Sequence, residues 1–171
     1  MTGSNVGPAA DIPNRDIVIR PAIAADRAFL LSLDDRLIEA AVVPDVTRDD
    51  LVAFQADYTR TALDACEPGM ATLVAADAAG RLLGYIQLEP HRDMLTGGTS
   101  GYVSLLAVHA EAEGRGVAKR LLEAADDWAA RSGFPFLMLD VFASNETARR
   151  FYERRGFVDE SLRLRRKVGP P

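Results

Sequence analysis

Residues 102–131 read YVSLLAVHAEAEGRGVAKRLLEAADDWAAR, and the fold follows from how this stretch divides. Tyr102–Val108 is a short apolar run of strand character. His109–Gly116 is a turn carrying Gly114 and Gly116. Val117–Arg131 has Val117, Leu121, Leu122, Ala125 and Trp128 at helical spacing, which predicts an amphipathic helix. A strand that feeds a glycine-bearing turn and a helix start is a place to bind phosphate. The first-turn N–H groups have no partner inside the helix, and the helix dipole favours negative charge there. Gly114 and Gly116 let the backbone close on an anion. Arg115, Lys119 and Arg120 add positive charge at the same spot.

The spacing narrows the phosphate ligand. A nucleotide-binding loop ends in Gly-Lys-Ser/Thr, whereas Gly116 is followed by Val117 and Ala118. The dinucleotide fingerprint G-x-G-x-x-G/A fails at Lys119, and His109–Glu113 separates the strand from its first glycine. Asp140, at the end of the next strand-like run, is the one residue that keeps a nicotinamide-dinucleotide alternative open, as the ribose-binding acid. The stretch instead resembles the coenzyme A loop of the GCN5-related N-acetyltransferase superfamily, a hydrophobic strand followed by R/Q-x-x-G-x-G/A. Glu113, Gly114, Arg115, Gly116, Val117 and Ala118 fill the six positions. Glu113 stands where the family usually has Arg or Gln, and Ala110 where a proline is common. Asn145–Phe157, NETARRFYERRGF, resembles the family's last helix, N-x-x-A-x-x-F/L-Y-x-x-x-G-F, at every marked position. The resemblance spans Ile17 to about Lys167.

Composition sets bounds on the rest. A chain of 171 residues, about half of them apolar, fits one domain with a real core. No apolar run reaches the ~20 residues of a membrane span, and the polar N-terminus has no secretory signal pattern. Cys66 is the single cysteine, and His91 and His109 lack metal-pair spacing, so no metal site is expected. A cytoplasmic setting fits. The net charge of −5 argues against a nucleic acid as partner, although the arginines from Arg149 to Arg166 form a basic C-terminal end.

In chain order, residues 1–16 read as a disordered tail and residues 17–171 as one domain. Ile17–Arg20 is a strand stopped by Pro21. A helix starting at Asp26 carries Phe29, Leu30, Leu33 and Leu37. Thr47 and Asp50 form a capping box for a second helix reaching about Ala65. Ala71–Ala76 and Leu82–Leu88 are strands around a turn at Asp77–Gly80, and Gly84 marks a bulge or close packing. Pro90–Gly101 reads as a loop and Phe136–Val141 as the fifth strand. Ser144 or Asn145 caps the last helix, Gly156 ends it, and Val158–Lys167 reads as one more strand.

This order predicts an α/β (α+β) domain with a mixed sheet. The resemblance implies the acyl-CoA N-acyltransferase fold: a mostly antiparallel sheet, helices on both faces, and parallel strands four and five splayed apart around the cofactor. It also implies acetyl-CoA as donor and an amine as acceptor, either a small molecule or a protein or peptide amino group. Leu106, Ala107 and Val108 would hold the acetyl carbonyl and the pantetheine arm. Gly114, Arg115, Gly116, Val117, Ala118 and Lys119 would hold the diphosphate, and Asn145 the arm again. A phenol at Tyr152 is protonated at neutral pH and could protonate the departing thiolate. Glu89, after the third strand, is the candidate general base. The acidic run from Asp34 to Asp50 could attract a cationic acceptor. Only one strand is expected after the last helix where the family usually has two, so a homodimer on that edge is left open. A non-catalytic acyl-CoA-binding module of the same fold is the main competing expectation.

Overall fold

The computed structural model describes residues 16–65 and 67–169; the expected N-terminal tail, Asp16 apart, lies outside them. Five strands form one sheet in sequential order: β1 Val18–Pro21, β2 Ala71–Ala76, β3 Leu82–Arg92, β4 Thr99–Val108 and β5 Leu137–Leu139. Neighbours are antiparallel except β4 and β5, which are parallel. The helices are α1 Arg27–Leu31, α2 Asp34–Ile38, α3 Arg48–Asp64, α4 Val117–Arg131 and α5 Glu146–Glu153.

The sheet has two covered faces, set by the period-2 alternation of strand side chains. On one face Ile86, Leu88 and Val103 pack with Leu121, Leu122, Ala125 and Trp128 of α4, and Phe151, Tyr152 and Phe157 close the edge. On the other, Val74, Tyr85, Leu105 and Ala107 meet Leu30 and Leu33, flanked by Tyr58, Ala62 and Leu63 of α3. Each large apolar side chain buried this way contributes about 1.5–3 kcal/mol. The mixed sheet with helices on both faces is the architecture expected from the sequence.

Several boundaries differ from expectation. The helix expected from Asp26 is two short helices. Ser32 breaks it by donating its hydroxyl to the Phe29 carbonyl at 2.7 Å, and Leu33 turns into the core between the halves. Pro21 ends β1 as a paired residue, facing Leu73 on an edge strand, where a missing N–H costs little. The expected loop 90–101 is mostly hairpin: Pro90, His91 and Arg92 pair with Gly101, Ser100 and Thr99. Asp93 makes the tight turn. Its carboxylate accepts from Leu95 N at 2.8 Å, Thr96 N at 3.2 Å and Thr96 Oγ1 at 2.8 Å. Glu89 therefore lies inside β3, not after it. β5 is shorter than Phe136–Val141. Residues 158–167 form no strand: Leu162 and Leu164 stay exposed beside a run of cations, and the three-residue β5 offers little edge to pair with. The Thr47–Asp50 capping box is present, with Asp50 N donating to Thr47 Oγ1 at 3.1 Å and Thr47 N to Asp50 Oδ2 at 2.9 Å.

Gly84 is a close-packing glycine next to a bulge. Ala75 pairs with Gly84 but Ala76 with Leu82, so Leu83 is extra. A Cβ on Gly84 would sit 2.6 Å from the Ala107 carbonyl oxygen and 3.3 Å from the Val117 side chain. It would thus wedge β3 away from β4 and α4. Gly84→Ala is expected to cost about 1–3 kcal/mol, read as a Tm lower by roughly 2–10 °C in a thermal melt.

Candidate active site

A second bulge shapes the centre of β4. Gln87 pairs with Leu105 and Leu88 with Val103, so Ser104 is the extra residue, and its hydroxyl reaches the Gln87 carbonyl at 3.4 Å. Pairing with β5 ends at the neighbouring residue, with Val103 opposite Leu139. Beyond it β4 continues to Val108 with no neighbouring strand on that side among the described residues. His109 N donates to Leu83 O at 2.9 Å, so residue 109 faces β3. By alternation the polar groups of Ala107 also face β3, and those of Leu106 and Val108 face the gap that β5 leaves. Backbone groups left this way need partners, and a ligand lying in the gap can supply them.

The gap leads to the glycine turn. A 3-10 turn at Ala110–Ala112 is capped by His109, whose Nδ1 accepts from Glu111 N at 3.3 Å. Gly114 and Gly116 then take φ of +72° and +80°, the left-handed region that glycine enters freely. Gly116 is the N-cap of α4. Among the described residues, the N–H groups of Gly114, Gly116, Val117, Ala118 and Lys119 donate no hydrogen bond. Unpartnered N–H groups at a helix start are a place where an anion can bind. Of the cations nearby, two are ion-paired and Arg115 is not. Lys119 and Arg120 approach Glu123 at 3.7 and 3.1 Å. Arg115 lines a cleft of about 500 Å³ with Phe29, Arg81, Leu83 and His109. Glu113 is ion-paired with Arg36 of α2.

Asn145 caps α5, its side chain accepting from Ala148 N at 3.0 Å. Ser144 does not cap; its hydroxyl donates to Ala40 O at 2.7 Å and accepts from Val42 N at 2.9 Å. Two turns along α5, the Tyr152 ring stands edge-on to Phe151 and Phe157 against the α4-side core. Burial pushes its phenol up to about 12. Its hydroxyl makes no hydrogen bond among the described residues.

Glu89 belongs to a cluster on the opposite face. The Ser104 bulge puts Tyr102 on the same face as Leu105 and Ala107, directly opposite Glu89. Tyr102 donates its hydroxyl hydrogen to Asp140 Oδ2 at 3.0 Å, and the His91 ring lies 5.2 Å from the Tyr102 ring. Burial pushes the Glu89 carboxyl up, and His91 pulls it partly back. Burial raises the phenol of Tyr58, from α3, and the charges of Glu89 and Asp140 raise it further. Burial and Asp140 likewise hold the Tyr102 phenol well above its ordinary range. Tyr58 and Tyr102 were not singled out from the sequence. Without the bulge Tyr102 would face α4, and α3 gives no local sign of which side chain reaches Glu89. Asp140 bonds to Tyr102 and, one residue past Leu139, lies level with the Ser104 bulge, about 13 Å of strand short of Val108 and the glycine turn. That position does not suit a ribose-binding acid. Among the described residues, no group of three or more His, Cys, Asp or Glu side chains is placed to hold a metal ion, and no helix is long and apolar enough to cross a membrane.

Comparison with known proteins meets this geometry. The structure is similar to that of a candidate acetyl transferase of Pyrococcus furiosus, with a TM-score of 0.73 and 21% identity, over 89% of this chain and 99% of that one. It is also similar to AAC(6')-Iy, solved in complex with the bisubstrate analogue CoA-S-monomethyl-acetylneamine. That TM-score is 0.62 at 20% identity, over 90% of this chain and 99% of the other. In sequence, the chain is 35% identical over 72 residues to N-alpha-acetyltransferase 30 of Saccharomyces cerevisiae. That match covers 42% of this chain and 39% of the yeast protein, so the chain spans well under half the length of that relative. The model of the acetyltransferase (GNAT) family matches residues 33–157, which include the gap, the glycine turn and α5. With the match running through most of the chain and through every element that builds the site, the protein belongs to the acetyltransferase (GNAT) family.

Proposed function

We infer that the protein transfers an acetyl group from acetyl-CoA to a primary amine by direct attack of the neutral amine. The observation that carries this reading is the pair of unpaired backbone sets, Leu106 and the N–H of Val108 in the gap and the N–H cradle at Gly114–Lys119 beyond it. Such an arrangement fits an extended thiol arm ending in a diphosphate. When bound, acetyl-CoA supplies the thioester carbon that the amine attacks. Leu106 and Val108 hold the acyl and pantetheine amides, while the N–H groups at Gly114, Gly116, Val117, Ala118 and Lys119 bind the diphosphate. Asn145 has its amide NH2 free of hydrogen bonds among the described residues and donates it to the arm.

The acceptor enters from the other face. Glu89 takes the proton that leaves the attacking amine, directly or through one water. Tyr58, Tyr102 and Asp140 surround the entry with phenols and a carboxylate, which suits an amine that arrives as a cation. Tyr152 gives its phenolic proton to the departing thiolate sulfur. Its high pKa keeps the proton in place across the working range. The yeast relative's description as an N-alpha-acetyltransferase favours the free α-amine of a peptide as acceptor.

The test is turnover on a panel of short peptides with free or blocked N-termini, alongside small amines. Transfer to free α-amines is expected and none to blocked peptides; no turnover of any amine would overturn the proposal. Tyr152→Phe should lower kcat by about 10²–10³-fold with little change in the affinity for CoA.

The pH profile follows from Glu89. Its carboxyl is raised, so the base form is lost as pH falls through a value above the ordinary ~4.3 for glutamate. Below that value both the amine and Glu89 must shed a proton, and log kcat/KM should rise with a slope of about two. In Glu89→Gln the slope should fall to about one, from the amine alone. Tyr152 imposes no alkaline fall below about pH 10.

A further inference from the structure

Glu113 places a carboxylate beside a cradle that is meant to receive a diphosphate. Two such charges repel, and at a partly dehydrated site the cost is several-fold what it is in water. The structure shows how this is met. Arg36, on α2, forms an ion pair with Glu113. The same guanidinium donates from Nε to the gap-facing carbonyl of Val108 at 3.4 Å and pairs with Glu39 one turn along. Arg36 is three-quarters covered whereas Glu113 is mostly exposed, so the arginine is the fixed partner. A few residues on, Ala40 and Val42 are tied to Ser144, which immediately precedes the N-cap of α5. The segment from Arg36 to Val42 therefore touches both lips of the gap, the β4 lip through Arg36 and the α5 lip through Ser144.

We propose that Arg36 is the positioning residue of the diphosphate loop. It neutralises Glu113 and holds the carboxylate off the cradle. A single arginine side chain thereby couples the helix on the acceptor face to the loop on the cofactor face. The proposal rests on the acetyl-CoA reading above and adds a residue that neither of the chain's two motifs contains. It also accounts for Glu113, the acidic residue in a loop position usually filled by Arg or Gln: the cation is supplied from α2 instead.

The test is a double-mutant cycle with two donors. CoA affinity is measured by calorimetry, and turnover is measured with acetyl-CoA and with acetyl-pantetheine, which has no diphosphate, for wild type, Arg36→Met, Glu113→Gln and the double variant. Thermal melts establish that each variant folds. Arg36→Met should weaken CoA by about tenfold, the scale of one charge-assisted contact. It should leave kcat/KM for acetyl-pantetheine within about threefold of wild type, because the exposed carboxylate has no diphosphate to repel. Glu113→Gln alone should change CoA affinity by less than about threefold, and the double variant should recover to within that range. Arg36→Met binding CoA as wild type does would overturn the proposal. So would a double variant no better than Arg36→Met, or an equal loss with acetyl-pantetheine. A wild-type chain that binds no CoA would overturn the acetyl-CoA reading itself and this proposal with it. Binding by wild type without rescue by Glu113→Gln would overturn the role of Arg36 alone.

Discussion

Everything at the site depends on one backbone constraint: buried peptide groups must find partners. β4 satisfies it on one side by pairing with β3 along its length, the Ser104 bulge apart. On the other side it is satisfied only as far as Val103, where β5 ends its pairing. The Ser104 bulge sits at that point and adds local twist, so the two parallel strands part there. The result is a strand with bare polar groups at Leu106 and at the N–H of Val108, in a sheet whose faces are already covered by helices. The opening is held by the packing of each side. Trp128 and Leu121 fix α4 on β3 and β4, and Tyr152 and Phe157 hold α5 near the free edge.

The two faces of the sheet divide the chemistry. The α4 and α5 face carries the glycine turn, Asn145 and Tyr152, which are groups that can hold an anion and an extended arm and keep a proton. The α1–α3 face carries Glu89, Tyr58, Tyr102 and Asp140, which can receive a cation and take its proton. The two sets meet only at the gap. Arg36 is the side chain that crosses between them, from α2 to Val108 and Glu113. A substitution on α2 can therefore change the affinity for a ligand on the opposite face without touching that ligand.

Much of this was legible in the sequence because it is local. The strand, glycine turn and helix of residues 102–131 declare themselves by period and by Gly114 and Gly116, and the Asn145–Phe157 pattern fixes the last helix. What the sequence hid depends on partners far away in the chain. Strict alternation puts Tyr102 with Leu106, and only the pairing of Gln87 and Leu88 across the bulge moves it beside Glu89. The hairpin at Asp93 was concealed by Pro90 and two glycines, although the aspartate that caps the turn is a local signal of it. Leu162 and Leu164 alternate like a strand, but alternation makes no strand where the sheet offers no length of edge to pair with. The bond between Arg36 and Glu113 leaves no trace in either segment.

The most direct test of the account is an amide NMR titration of the isotopically labelled chain with CoA. The account predicts the largest shifts at Gly114, Gly116, Val117, Ala118 and Lys119, followed by Leu106 and Val108, with Ala107 moving less because its amide already bonds to β3. Shifts confined to the cleft around Phe29, Arg81 and His109, or no shifts at all, would contradict it.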